Sequence, residues 1–258
     1  MESMFLPRMT FYLLCALILS PLLPGNVHGQ TSLLAEILRL QPAIVSIKAV
    51  NRDVFQSKPQ IVGRDPRTGR ILILRKAASP SYDRFGAGVF IDPSGIIVTN
   101  AHIVNRAQTL TAILNDKTEL PAQVLFVVND LDLGYLKVDL ASPAMAAEFG
   151  NSDEARLNDQ VITVGNSPVL RQTVSGGKII GLGQTTQQIF KGTIKTNNLI
   201  QTDISLYEGD SGGPLFDKNG QLIGLMTAGE SRKDSSFAVP SNLIKRFLAE
   251  HLNAPAQE

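Results

Sequence analysis

The sequence predicts an all-β protein with one short helix before its strands and one after them. Its apolar residues fall mainly in short runs that glycine and proline turns separate, as in successive antiparallel strands. The chain has 258 residues, of which 43% are hydrophobic, so it can bury a substantial core. Helical periodicity is limited to two segments, which lie on either side of the strand runs.

The part of the chain before residue 86 predicts a helix, a strand and a long loop. Leucine and isoleucine recur at helical spacing within residues 31–40, which predicts a short helix. The apolar run at 43–47 predicts the first strand. Residues 51–84 are rich in lysine and arginine and predict a variable loop, with an edge strand at 71–74 inside it.

A strand, a turn and a second strand follow from residue 86. The glycine-rich run 86–92 predicts the first of these strands, and Pro93-Ser94-Gly95 predicts the turn. The second strand begins at Ile96 and ends where His102 stands. This arrangement places a histidine at the end of a buried strand.

The second half of the chain repeats the pattern of short strands. Strands are predicted at 161–164, 172–180 and 222–229. A final helix is predicted after residue 240, with Ser241 as its cap. One apolar face of this helix carries Leu243, Ile244, Phe247, Leu248 and Leu252.

The sequence GDSGGP at residues 209–214 predicts a nucleophilic serine. Glycines let the chain bend sharply, so that the Ser211 hydroxyl stands clear of the backbone and N–H groups can approach a substrate. Serine is a poor nucleophile by itself, so the motif requires a histidine base and an acid that orients it.

Only one of the three histidines lies inside the predicted globular body. His28 belongs to the N-terminal segment and His251 to the last helix, which leaves His102 as the base. The acid is expected between His102 and Ser211. Asp132 is favoured because leucines surround it, as expected for a partly buried carboxylate that a histidine N–H satisfies. The other candidates are Asp130, which is the runner-up, Asp116 and Asp139.

Four motifs in this order resemble the HtrA/DegP-like branch of trypsin-like serine proteases. The segment 86–104 resembles that family's glycine-rich strand and TNxHV histidine segment, and 132–138 resembles its DLAVLKV aspartate strand. The segment 201–211 resembles its serine motif, and 237–242 resembles the FAIPSN sequence before the last helix. The similarity extends from about residue 41 to residue 252.

The resemblance implies a chymotrypsin-like fold of two six-stranded β-barrels with a short N-terminal and a C-terminal helix. The first barrel is expected at residues 30–145, carrying His102 and Asp132, and the second at 146–258, carrying Ser211. His102, Asp132 and Ser211 are the expected catalytic residues, and the backbone N–H groups of Gly209 and Ser211 the oxyanion hole.

The resemblance also implies a site for the substrate chain. Ser205 and Leu206 are expected near the base of the primary specificity pocket, where no acidic residue stands. A small or medium apolar P1 side chain is therefore expected rather than arginine or lysine. The strand residues Thr227, Ala228 and Gly229 are a candidate edge for docking the substrate backbone. An ordinary core strand is the simpler interpretation of the same residues.

Residues 1–29 predict an export signal. Arg8 precedes an apolar run from residue 9 to 23, and cleavage is expected before Gln30. A permanent anchor is the less favoured interpretation because the run is short for a bilayer. The single cysteine, Cys15, lies in this segment, so the mature chain is expected to have none. A periplasmic or extracellular location in a bacterial context follows.

The remaining expectations concern partners. Protein or peptide substrates are expected, with self-association, as a trimer, implied by the family. The net charge of +1 does not favour a nucleic-acid partner, and neither a cofactor nor a metal is expected. No PDZ domain is expected after the second barrel. The alternative function is a catalytically silent binding or scaffold module on the same fold.

Asp210 is the main departure from the family, which usually has asparagine there. Backbone donors or a basic side chain are expected to satisfy its carboxylate. An alternative hypothesis is zymogen activation, because Gln60-Ile61-Val62-Gly63 resembles an activation site. Cleavage there would free an ammonium group to pair with Asp210. The run at 43–47 already fills the first-strand role, which counts against this hypothesis.

Overall fold

Twelve of the described strands close into two six-stranded antiparallel β-barrels, which confirms the predicted fold class. The structure is a computed structural model that describes residues 38–51, 60–64, 71–74, 82–167, 171–184, 198–207, 209–230 and 235–252. The predicted export signal lies outside these residues. So does most of the predicted first helix, of which 38–40 are described and are helical.

The first barrel is formed by the first half of the chain and holds its strands in the order β1-β4-β5-β8-β7-β6. Two further strands, β2 and β3, pair in a separate hairpin. The first strand begins one residue later than predicted, because residues 41–43 form a 3-10 turn. The strands are β1 (Ile44–Asn51), β2 (Gln60–Arg64), β3 (Ile71–Leu74), β4 (Tyr82–Asp92), β5 (Ile96–Thr99), β6 (Thr109–Ile113), β7 (Glu119–Val128) and β8 (Leu133–Val138).

The second barrel follows, in the order β10-β11-β14-β13-β12-β9. One four-residue helix lies in the first barrel, and a longer one closes the described chain. The strands are β9 (Gln160–Ser167), β10 (Arg171–Gln184), β11 (Leu199–Thr202), β12 (Pro214–Asp217), β13 (Leu222–Glu230) and β14 (Ser235–Pro240), and the helices are α1 (Ala101–Val104) and α2 (Ser241–Leu252).

The hairpin of β4 and β5 shows how the local sequence builds the site's foundation. Gly95 has φ +100°, a conformation that glycine adopts without steric cost. Ser94 donates its backbone N–H to Asp92 Oδ1 at 2.7 Å. Hydrogen bonds from the side chain and the backbone of Ser94 hold the pKa of Asp92 below its ordinary value. All four residues of β5 are buried, so the strand lies in the core. Helix α1, which carries His102, begins two residues after the strand ends.

The core consists of one apolar cluster inside each barrel and a third cluster where the barrels meet. The third cluster joins Val89 and Tyr135 of the first barrel to Phe216 and Val239 of the second. Burial of apolar surface is the main favourable term in folding, so this shared cluster fixes how the barrels pack. The candidate site lies along the same junction.

Helix α2 leaves the second barrel and packs against the first. The hydroxyl of Tyr135 on β8 donates to the backbone carbonyl of Ile244 at 2.8 Å, and burial raises the pKa of Tyr135, which keeps this donor protonated. Phe126 stacks between Tyr135 and His251, with ring centroids 4.3 and 4.0 Å apart. The aromatic column fastens the helix to β7 and β8.

Two expectations about α2 were wrong. Ser241 does not cap the helix, because its hydroxyl donates to the carbonyl of Gly150 at 3.0 Å. The backbone N–H of Asn242 instead donates to Ser152 Oγ at 3.1 Å, so the capping oxygen comes from a 3-10 turn at residues 152–154. Leu252, predicted on the apolar face, is 52% exposed, because this end of the helix contacts the barrel through the neighbouring His251, which stacks on Phe126.

Candidate active site

His102 and Asp132 form a direct pair at the junction of the barrels. His102 Nδ1 lies 2.7 Å from Asp132 Oδ2, and the His102 backbone N–H donates to Asp132 Oδ1 at 2.8 Å. An ionised carboxylate only accepts hydrogen bonds, so Nδ1 carries the proton of the neutral ring and Nε2 keeps a free lone pair. The Asp132 side chain is 6% exposed and that of His102 46%, so one side of the imidazole remains open.

The local chain geometry explains why this aspartate reaches the histidine. Asp132 ends a 3-10 turn at Asn129–Leu131 and adopts the left-handed conformation, with φ 54° and ψ 40°. Its backbone N–H donates to the carbonyl of Asn129 at 3.1 Å. The alternatives Asp130, Asp116 and Asp139 are exposed, and none of them contributes the carboxylate that contacts His102.

Thr227 takes part in this site in a way that the sequence did not predict. Its hydroxyl donates to Asp132 Oδ2 at 2.5 Å, and the residue is 3% exposed. A β-bulge between Met226 and Ala228 explains the orientation, since bulges redirect side chains, often near active sites. No local pattern in the sequence indicates this contact, because the bulge depends on how β13 pairs with β14.

The segment around Ser211 forms a tight turn held at both ends. Gly209 and Gly212 have φ +101° and +82°, as glycine alone adopts easily. The Gly212 N–H donates to the Met226 carbonyl, and the Ala87 N–H to the Ser211 carbonyl, both at 2.8 Å. Among the described residues, the N–H groups of Gly209 and Ser211 donate to no backbone carbonyl.

The structure relates Ser211 to His102 through the main chain. A Cβ built on Gly86 would lie 3.0 Å from the Ser211 carbonyl oxygen and would overlap the side chain of Ile103, the neighbour of His102. Both segments therefore pack against the same glycine. Within the described part of the chain no hydrogen bond joins Ser211 Oγ to His102, and such contacts are often long before substrate binds.

Asp210 is buried, with 2% exposure, and uncharged donors satisfy its carboxylate. Oδ2 accepts the backbone N–H of Tyr207 at 2.8 Å, and Oδ1 accepts the Thr173 hydroxyl at 3.1 Å. One of these is a backbone donor, as expected. The segment of the activation hypothesis, Gln60–Arg64, forms strand β2 and pairs with β3.

The predicted substrate-binding residues fall into two groups. Ser205 is exposed, whereas Leu206 is half-buried and packs against the apolar cluster of the second barrel. On β13, Ala228 and Gly229 pair with Phe237 and Ser236 of β14. Pairing of β13 with β12 ends at Leu225, so among the described residues the other edge of β13 from 227 to 229 has no strand beside it.

Two surface cavities lie away from these residues. One, of about 430 Å³, is lined by polar residues of the second barrel such as Arg156 and Asp217. The other, of about 490 Å³, lies between the β6–β7 hairpin and residues 140–145. Among the described residues there is no cluster of histidine, cysteine and acidic side chains able to hold a metal. The helices that the structure describes include none with the length and apolarity that crossing a bilayer requires.

Replacing Gly212 by alanine is expected to destabilise the protein by about 3 kcal/mol or more. A Cβ there would overlap the Ala87 carbonyl oxygen and lie 2.6 Å from Thr99 Oγ1, and φ is +82°. Urea unfolding measures the change. Gly176→Ala is the matched control, because a Cβ at that strand position meets no atom within 4 Å, and its effect should stay within about 1 kcal/mol. Equal stability of the two variants would contradict the steric argument.

Comparison with known proteins gives consistent matches. The family model for the trypsin-like peptidase domain matches residues 86–225. A probable periplasmic serine endoprotease, DegP-like, from Rickettsia conorii is 33% identical over 225 residues, which is 81% of this chain and 44% of that protein. The periplasmic pH-dependent serine endoprotease DegQ of Escherichia coli is 32% identical over 243 residues, covering 89% of this chain and 50% of DegQ.

Solved structures give the same result. The HtrA-type protease AlgW with a decapeptide aligns with a TM-score of 0.66 and 28% identity, covering 85% of this chain and 67% of AlgW. The chain spans about half the length of the curated relatives it matches.

Proposed function

Since the chain belongs to the trypsin-like peptidase family, we propose that it is an exported serine endopeptidase that cleaves peptide bonds through an acyl-enzyme intermediate. The observation that carries this proposal is the partly buried His102–Asp132 hydrogen bond, which lies next to a glycine-flanked turn that carries Ser211. DegP-like relatives named as periplasmic serine endoproteases support it.

In the proposed reaction, Ser211 is the nucleophile and His102 the base. Nε2 of His102 takes the proton of Ser211 Oγ as the oxygen attacks the substrate carbonyl carbon. Asp132 holds the ring through Nδ1 and stabilises the imidazolium that forms, while Thr227 donates to the same carboxylate oxygen. The imidazolium then gives its proton to the leaving amine, and water hydrolyses the acyl-enzyme by the reverse roles.

The negative charge that develops on the carbonyl oxygen is assigned to the N–H groups of Gly209 and Ser211. Backbone donors fixed in a turn stabilise such an oxyanion without reorganising, and loss of one typically costs about 100- to 1,000-fold in rate. The bonds that fix this turn are those of Gly212 and Ala87. The contacts of Asp210 with Tyr207 and Thr173 hold its other end.

The substrate chain is proposed to add to β13 as an extra strand. The edge at Thr227–Gly229 extends past β12, and an unpaired strand edge offers N–H and C=O groups to an extended peptide. The side chain of Thr227 points to Asp132, so its contribution to the substrate is through the backbone.

A panel of peptides that differ only at P1 is expected to favour alanine, valine or leucine over arginine by at least about tenfold in kcat/KM. The reason is that the segment at Ser205 and Leu206 supplies no carboxylate to neutralise a cationic side chain. Initial rates of fluorogenic peptides measure the preference. Faster cleavage of the arginine peptide would contradict this assignment of the pocket.

The wider organisation is proposed on the same basis. Residues 1–29 act as an export signal, and the mature chain works in the periplasm or outside the cell on protein or peptide substrates. The domain division at residues 30–145 and 146–258, and assembly as a trimer, are further parts of the proposal. N-terminal sequencing of exported protein and light scattering test them.

Labelling with a fluorophosphonate probe tests the function directly. Such a probe forms a covalent bond only with an activated serine, so the wild-type protein should be labelled and Ser211→Ala should not. Absence of labelling in the folded wild-type protein, together with no peptide hydrolysis, would instead favour a silent scaffold on the same fold.

A further inference from the structure

Asn100 is a buried polar residue that stands two positions before His102. It is fully buried and extended, with φ −85° and ψ 145°, at the start of α1. Asparagine at such a position commonly caps the helix through its side chain, but Asn100 makes no capping hydrogen bond. Its side-chain amide Nδ2 instead donates to the main-chain carbonyl of Asp132 at 3.1 Å.

This bond belongs to a set that holds Asp132 from both sides. The Ala101 N–H donates to the same carbonyl at 3.1 Å, and the His102 N–H donates to Oδ1 at 2.8 Å. Three successive residues therefore fix the backbone and the carboxylate of Asp132 together. Asn100 is the one side chain among them that holds the carbonyl.

Asp132 needs such support because of its backbone conformation. A non-glycine residue in the left-handed region is strained and persists only where its surroundings enforce it. Rotation of the Asp132 peptide out of that region would turn the carboxylate away from His102 Nδ1. A donor on the Asp132 carbonyl opposes that rotation.

The side-chain oxygen of Asn100 indicates that the residue contributes little net stability to the fold. Its Oδ1 is buried without a hydrogen-bond partner within the described residues. An unpaired buried acceptor is unfavourable. The hydrogen bond of Nδ2 therefore stabilises the fold, whereas burial of Oδ1 destabilises it. Replacing both polar atoms by apolar atoms of similar volume, as leucine does, should therefore change the free energy of unfolding little.

We propose that Asn100 is a positioning residue for the peptidase reaction, which sets the Asp132 carboxylate against His102 by holding the Asp132 carbonyl. This inference rests on the proposed function. Asn100 itself contacts neither substrate nor the reacting atoms.

Asn100→Leu and Asn100→Ala test the proposal, since both remove the donor and one of them fills the space. Each variant is expected to lower kcat by about 10- to 100-fold, as sub-ångström to ångström misplacement of a catalytic group does, with KM within about twofold. The melting temperature of Asn100→Leu should change by no more than about 3 °C, whereas Asn100→Ala should lose more because it leaves a cavity. Ser241→Ala is the control, because it removes another buried side-chain donor to a carbonyl, and its kcat should match wild type.

Proton NMR adds a readout that does not depend on activity. The proton between His102 Nδ1 and Asp132 should give a far-downfield resonance, identified by its loss in Asp132→Asn, and this resonance should shift or broaden in both Asn100 variants. Unchanged kcat together with an unchanged resonance, in whichever variant folds, would overturn the proposal. A wild-type protein that neither cleaves peptides nor reacts with the fluorophosphonate probe would refute the proposed function, and the resonance alone would then decide the role of Asn100.

Discussion

Ser211→Ala is expected to reduce kcat for peptide hydrolysis on the order of 10⁶-fold, because it removes the oxygen that we propose forms the acyl-enzyme. Residual hydrolysis would come from substrate binding and the oxyanion N–H groups acting on water. Stopped assays with a fluorogenic peptide over long incubation measure the remaining rate.

The loss should come from chemistry rather than from unfolding. In the part of the chain that the structure describes, no hydrogen bond involves Ser211 Oγ. The Ser211 carbonyl accepts the N–H of Ala87, and this backbone hydrogen bond is retained in the variant. The melting temperature should therefore stay within about 2 °C of wild type. Ser142 is exposed in the segment that connects β8 to β9. Ser142→Ala is the matched control and should keep full activity. Retention of more than a few per cent of activity by Ser211→Ala would refute the nucleophile.

Asp132→Asn is expected to lower kcat by about 10⁴-fold. The carboxylate accepts three hydrogen bonds, from the His102 N–H, His102 Nδ1 and the Thr227 hydroxyl. An asparagine amide supplies one acceptor oxygen and an NH₂ group that itself donates, so the imidazole is forced to place its proton on Nε2. In that tautomer the ring cannot accept the proton of Ser211.

Asp130→Asn is the control for this variant and distinguishes the two aspartates that the sequence left open. Asp130 is exposed in the preceding 3-10 turn, and its variant should keep kcat within about twofold. Steady-state kinetics at neutral pH compare the two. If Asp130→Asn lost as much activity as Asp132→Asn, the assignment of the orienting acid would be wrong.

Features determined by local pattern were predicted well from the sequence. The edge strand at 71–74, the Pro93–Gly95 turn and the strand that leads to His102 all follow from apolar runs and turn residues near one another in the chain. Asp132 was favoured over Asp130 because leucines surround it, and burial of that carboxylate is what the structure shows.

Features determined by long-range contacts were not predictable in the same way. The hydroxyl of Thr227 meets a carboxylate 95 residues away in the chain, and the capping oxygen of α2 lies 90 residues before it. Each depends on the register between strands or on the docking of the two barrels. A single sequence encodes these contacts only through the whole fold. The contact of Thr227 with Asp132 was therefore not predicted, and Ser241 was wrongly predicted as the cap.

Two hydrogen bonds described above cross between the barrels in opposite directions. Thr227 of the second barrel donates to Asp132 of the first, and Ala87 of the first barrel donates to Ser211 of the second. Each barrel thus donates a hydrogen bond to the candidate site residue that the other barrel carries. A small rotation at the junction would disturb the proposed acid and the proposed nucleophile together. The peptidase activity that we propose should therefore respond cooperatively to changes in the packing between the two barrels.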